Sequence, residues 1–217
     1  MRRPGVYFLA FLMGACSDLD ESSPFGYPLD SILRLNHFQA KGTHNSYHIA
    51  PNPFLLAELD YSESPLDIQL GDQGVRQFEL DVHRDAATRR FRVYHIPVID
   101  EGVTCYWFTD CLQVMKTWSD AHPGHHPIFT MIEFKDEVDT ARIVGHYDEF
   151  DAEIRSVWPA SRLITPDSVQ GSSPDLETAV LTRGWPTLGE SRGKAMVMIL
   201  DDEPHRTYYT DGDKTLK

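Results

Sequence analysis

The nine residues Pro127–Lys135 constrain the fold of this chain more than any other stretch. They alternate, so that Phe129, Met131, Glu133 and Lys135 share one face and Ile128, Thr130, Ile132 and Phe134 the other. The first face starts apolar and ends charged. A strand packed at its start and charged only at its C-terminal end suits the inside of a (β/α)8-type barrel, where the mouth carries function.

Other segments agree with that architecture. Val75–His83 places Phe78, Leu80 and Val82 on one face, and Gln77, Glu79, Asp81 and His83 on the other. Phe38–Thr43, Arg92–Pro97 and Ala195–Leu200 read as further strands. Between them, helical spacing runs through Leu112, Met115 and Trp118, and again from Val144 through Tyr147, Phe150 and Ile154 to Trp158. Pro65 opens a shorter helix toward Gly71, and Phe54–Leu59 is a further helical stretch. Strands alternating with helices predict an α/β fold with a parallel sheet.

About five barrel strands are readable, whereas such a barrel has eight and about 250 residues. The 217 residues therefore read as a TIM (β/α)8-type barrel that is incomplete at its C-terminal side, or as a different parallel fold. Were Lys217 a true end, unpaired strand edges would predict poor solubility or dependence on a partner.

The net charge of -13 argues against a nucleic-acid partner, because phosphate backbones are bound by clustered Lys and Arg. It suits a protein that holds a divalent cation. Residues 1–15 read as a signal peptide, with Arg2 and Arg3 before the apolar run Val6–Met13. Leu12-Met13-Gly14-Ala15-Cys16 has the form of a bacterial lipobox, which predicts lipidation at Cys16 and a membrane-anchored envelope protein; simple secretion is the alternative. Residues 16–34 then form a polar tether, and 35–217 the folded domain. In an exported protein the two remaining cysteines, Cys105 and Cys111, suggest a local disulfide, with free thiols or a metal as alternatives.

The residues that carry chemistry lie at or near strand ends: His44, Asn45, Glu79, Asp81, His95 and Glu133. Any one of them alone reads as a solvated or core side chain; their convergence on successive strands predicts a site. Asn45, Glu79, Asp81 and Glu133 form an all-oxygen set suited to calcium, whereas zinc would draw on His or Cys. Were His44 and His95 ligands as well, a transition metal would fit better. A cation here would polarise a phosphate and lower the pKa of a hydroxyl group next to it, while the two imidazoles move protons. His122, His125 and His126 offer a second metal-binding set, but they sit around a Pro-Gly turn and read as a solvated loop. Asp211-Gly212-Asp213 resembles part of a calcium loop without its remaining ligands.

Gly42-Thr43-His44-Asn45-Ser46-Tyr47, Phe78-Glu79-Leu80-Asp81-Val82, Val93-Tyr94-His95 and Ile132-Glu133-Phe134-Lys135-Asp136 resemble the calcium-dependent phosphoinositide-specific phospholipase C family, in its secreted microbial branch. The Cys105–Cys111 block, Thr165-Pro166-Asp167-Ser168-Val169 and Gly184-Trp185-Pro186-Thr187-Leu188 extend the likeness, which runs from about His37 to Leu200. It implies a barrel phosphodiesterase that cleaves phosphatidylinositol-type lipids to diacylglycerol and a cyclic inositol phosphate. It further implies that His44 and His95 are the catalytic pair, that Asn45, Glu79, Asp81 and Glu133 bind Ca2+, and that Lys135 contacts the phosphate. The strand Met196-Val197-Met198-Ile199 lacks the headgroup lysine of well-studied eukaryotic members, so headgroup specificity does not follow. Two other readings stay open. One is a glycerophosphodiester phosphodiesterase, which uses a similar His and E-x-D set; the other is an inactive surface lipoprotein or fragment.

Overall fold

The computed structural model describes residues 26–53, 56–138, 142–200 and 204–210. The signal peptide, Cys16, most of the tether, Phe54-Leu55 and Asp211-Gly212-Asp213 lie outside the described residues. Five strands form one sheet: β1 (Lys41–Gly42), β2 (Val75–Asp85), β3 (Arg90–Val93), β4 (Ile128–Phe134) and β5 (Ala195–Ile199). The order β1-β2-β4-β5 is parallel throughout. β3 differs from the expectation of a parallel barrel strand. It folds back antiparallel on β2, pairing Val82 with Val93 and Asp85 with Arg90. Its hairpin is closed by the Asp85 carboxylate, which accepts the Ala87 and Thr88 N–H groups at 3.0 and 2.8 Å.

Helices α1 (Leu66–Gly71), α2 (Phe108–Ala121) and α3 (Tyr147–Val157) cover one face of the sheet. Phe78, Leu80 and Val82 of β2 and Ile132 of β4 are buried there with Leu66, Leu70, Leu112, Met115, Phe150, Ile154 and Trp158. Each such side chain contributes about 1.5–3 kcal/mol of transfer free energy. α3 stops where expected, because Pro159 cannot continue it. On the opposite face, Phe129 of β4 lies beside Met196 of β5, and both pack on Leu35, Ile164 and Val169. The apolar half of Pro127–Lys135 is thus packed on both sides, which leaves the strand's C-terminal end for polar groups.

Four further α-helices follow among the described residues, α4 (Pro166–Gln170), α5 (Leu176–Arg183), α6 (Leu188–Ser191) and α7 (His205–Thr210). α4 begins with Thr165 accepting the Ser168 N–H, and α6 with Thr187 and Glu190 satisfying each other's backbone.

Cys105 and Cys111 form a disulfide that ties the loop before α2 to its first turn. Its sequence separation of 6 closes a small loop, for which chain entropy gives about 2 kcal/mol. Cys105→Ser/Cys111→Ser is therefore expected to lower the melting temperature by about 5 °C, measured by calorimetry; an unchanged transition would show the bridge to be energetically idle.

The solvated-loop reading of the histidines fails for His125. It is buried, with Nε2 2.6 Å from Ser119 Oγ and Nδ1 2.5 Å from the His126 carbonyl. Burial pushes its pKa down to about 4, as befits a neutral ring in a structural network.

Candidate active site

The site is built from the turn after β1, the middle of β2 and the C-terminal end of β4. Asp81 and Glu133 are register partners on adjacent strands, and Glu79 sits two residues before Asp81 on the same face. Carboxylate oxygens of Glu79, Asp81 and Glu133 all come within 4.8 Å of one another. Asp81 has no solvent exposure, and among the described residues none gives either of its oxygens a well-aligned hydrogen bond. Lys135 Nζ stands 3.1 Å from Asp81 Oδ2 and 2.6 Å from Glu133 Oε1, placing a cation against the cluster.

The electrostatics follow from this burial. Desolvation pushes the Asp81 carboxyl up to about 6, more than the Lys135 charge pulls it down, and Glu133 adds to the rise. Burial works against the Lys135 ammonium, but the Glu133 hydrogen bond and the Asp81 carboxylate outweigh it and hold its pKa above the usual lysine value. A buried carboxylate with unsatisfied oxygens, two neighbouring carboxylates and no sulfur or imidazole among the nearest donors fit a hard divalent cation.

The turn after β1 brings in His44 and Asn45. Thr43 N–H and Ser46 N–H continue the pairing with β2 by donating to Gln77 and Glu79 carbonyls at 3.1 and 3.0 Å. Ser46 Oγ accepts the Glu79 N–H at 2.9 Å. Gln69, fully buried on α1, fastens the turn from behind by donating to the Ser46 carbonyl at 2.6 Å and accepting from Thr43. Asn45 takes φ 45°, a left-handed conformation that Asn tolerates better than most residues. That turn leaves the His44 ring 74% exposed, with Nε2 3.9 Å from Glu79 Oε1. Asn45 is buried, and its Oδ1 accepts from the Tyr47 hydroxyl at 3.2 Å. The same hydroxyl acts on Asp81, which sets Asn45 beside the carboxylate cluster.

His95 lies past the end of β3, not within a strand. The chain turns tightly there: His95 and Ile96 N–H groups donate to the Asp100 carbonyl at 3.3 and 3.1 Å, and Asp100 N–H returns to Ile96 at 2.9 Å. The expected strand through Pro97 stops short because the chain pairs with itself in this turn. A cavity of about 460 Å³ joins His95 to Lys135, with His83 and Tyr94 on its wall. Tyr94 N–H meets the Asp81 carbonyl at 3.3 Å, so this loop borders the carboxylates.

Sequence reasoning missed Asp100 and left His48 without a role. Asp100 is buried and accepts from both imidazoles, at 3.0 Å from His95 Nδ1 and 2.9 Å from His48 Nε2. Within Ile96-Pro97-Val98-Ile99-Asp100 nothing in the spacing marks that carboxylate. Gln69 was missed likewise and reads as an ordinary helix residue, while Tyr47 ends the Gly42–Tyr47 motif without a role assigned to it.

The model of the family described as "Phosphoinositide phospholipase C, Ca2+-dependent" matches residues 33–92 and 87–217. No curated protein matches the chain. Among solved structures, it is similar to a calcium-dependent phosphoinositol-specific phospholipase C from a Gram-negative Pseudomonas sp, with 22% identity and a TM-score of 0.63. That match covers 86% of this chain and 65% of the Pseudomonas chain. A Ca+2-dependent phosphatidylinositol-specific phospholipase C from Streptomyces antibioticus matches with 25% identity and a TM-score of 0.59, over 79% of this chain and 58% of that one. The chain thus spans roughly three fifths to two thirds of the length of these enzymes. The sheet is accordingly part of a barrel of their type. With the family model matched over most of its length, the chain belongs to the calcium-dependent phosphoinositide phospholipase C family.

Proposed function

We propose that this protein is an exported, calcium-dependent phosphodiesterase that cleaves phosphatidylinositol-type lipids. The observation that carries the reading is the buried, unsatisfied Asp81 carboxylate between Glu79 and Glu133, with Lys135 against it and His44 beside Glu79.

Asn45, Glu79, Asp81 and Glu133 would hold the calcium, which when bound polarises the phosphate and favours ionisation of the attacking hydroxyl. The inositol 2-hydroxyl attacks phosphorus, a new P–O bond closes the cyclic phosphate, and the bond to the diacylglycerol oxygen breaks. His44 and His95 take the proton from the hydroxyl and return one to the leaving oxygen. Lys135 is placed to pair with a non-bridging phosphate oxygen once its two carboxylates are engaged elsewhere. Exposed Ile49, Val98 and Ile99 lie on the two loops that carry His48 and His95, which favours a substrate presented at a lipid surface. We attribute membrane attachment to Cys16 and its lipobox.

Product analysis tests the reading against its alternative. Phosphatidylinositol micelles with calcium are expected to release diacylglycerol, while glycerophosphoinositol stays intact. Release of glycerol phosphate from the deacylated diester, with the lipid untouched, would establish the glycerophosphodiester phosphodiesterase instead.

A further inference from the structure

We propose that Asp100 is the positioning residue for His95, and that it is shared with a second, buried imidazole, His48. This rests on the reading of His95 as a proton-transfer group in phosphodiester cleavage.

The geometry assigns the protons. An ionised carboxylate only accepts, so both ring nitrogens that face Asp100 carry hydrogen. His95 is held with Nδ1–H toward Oδ2 at 3.0 Å, which leaves Nε2 as the nitrogen free to exchange protons. His48 is held with Nε2–H toward Oδ1 at 2.9 Å. His48 and Asp100 side chains have no solvent exposure, whereas the His95 ring is 24% exposed. Only His95 can therefore reach a substrate.

A carboxylate this deep is costly unless each oxygen has a donor. Here the two imidazoles supply one each, and among the described residues no lysine or arginine pairs with it. Asp100 also acts on the Tyr47 and Tyr61 hydroxyls, and the Tyr61 ring lies 4.4 Å from His48. Among the described residues none hydrogen-bonds to Nδ1 of His48, so Asp100 is the ring's one side-chain partner there.

The backbone is committed to this arrangement. Val98, at the tip of the His95–Asp100 turn, takes φ 68°, a conformation costly for a β-branched residue, and is 93% exposed. Gly102 lets the loop meet the His48 segment, since a Cβ there would fall 2.3 Å from the Ile49 carbonyl. Ile49 N–H donates to Gly102 at 2.9 Å, and His48 bridges Val103. Strain at the tip is thus held by contacts that place one carboxylate between two rings.

Two readouts test the assignment. In calcium-free protein without substrate, a long-range ¹H–¹⁵N spectrum is expected to show neutral His95 as the Nδ1–H form, identified by its loss in His95→Gln. The Nε2–H form, or the mixture of free imidazole, would overturn the proposal whatever the protein cleaves.

The second readout is kcat and KM for phosphatidylinositol, taken with the same spectrum on the variants. Asp100→Asn is expected to lower kcat about a hundred- to ten-thousand-fold with KM little changed, by analogy with losing the carboxylate of a catalytic triad. The Nδ1–H form of His95 should give way to a mixture of tautomers, because no anion remains to hold that hydrogen. His48→Gln keeps a donor to Oδ1 and is expected to preserve the Nδ1–H form. A fall in rate with no change in the His95 tautomer in Asp100→Asn would reduce Asp100 to a structural role. Absence of any lipid cleavage by the unmodified protein would sink the phospholipase reading, while the spectrum still decides the tautomer.

Discussion

Asp81→Asn is expected to raise the melting temperature of the calcium-free protein at pH 7.5, and to abolish the further rise that calcium produces. The two effects have opposite signs and one cause. The Asp81 carboxyl ordinarily titrates near 3.8, and burial pushes it up to about 6 in the fold. Its contribution to stability is therefore fully present below about pH 3.8 and is lost as the pH rises through about 6. At pH 7.5 the calcium-free protein carries that loss, on the order of 3 kcal/mol for a shift of this size. A neutral amide avoids it, for a gain of roughly 5 °C after allowing for the lost Lys135 contact. Calcium at about a hundred times its dissociation constant stabilises the unmodified protein by about 2.7 kcal/mol. Asp81→Asn removes the central ligand, so calcium should leave its transition where it was. A calcium-free variant that melts lower than the unmodified protein would mean that the Lys135 pair outweighs burial.

His44→Ala is the second large effect. The ring is 74% exposed, and among the described residues its ion-pair partner is Glu79 at 3.9 Å, so the fold should barely register its loss. The melting temperature is expected to stay within about 1 °C, as for other exposed substitutions. Lipid turnover is expected to fall about a hundred- to ten-thousand-fold, the usual worth of a general acid or base. Calcium affinity, read by titration calorimetry, should change little because the imidazole is not in the ligand set. A variant that keeps its turnover would remove His44 from the mechanism. One that loses calcium binding would move it into the metal site.

Much of this arrangement is legible in the sequence, for identifiable reasons. Pro127–Lys135 and Val75–His83 are strands whose period of two sorts core from site directly, and the fold then sets Asp81 opposite Glu133. α2 and α3 are long enough for helical spacing to show. β1 is two residues, too short for any pattern, and its turn is set by Gln69 and Ser46. β3 turns back because of the Asp85 hairpin, a contact over two and three residues that an apolar run conceals. The capping residues of α4 and α6, Thr165 with Ser168 and Thr187 with Glu190, were present as signals of helices too short to show periodicity. Asp100 and His48 stand 52 residues apart and meet only through the fold, so no local pattern could have joined them.

The most direct test of the account is a ³¹P spectrum of phosphatidylinositol micelles incubated with the protein, in calcium and in chelator. The account predicts that in calcium the lipid resonance gives way to that of a five-membered cyclic inositol phosphate, and that chelator stops this. Conversion that proceeds equally in chelator would contradict the role given to Asn45, Glu79, Asp81 and Glu133. An unchanged lipid signal with calcium demonstrably bound would contradict the proposed activity itself.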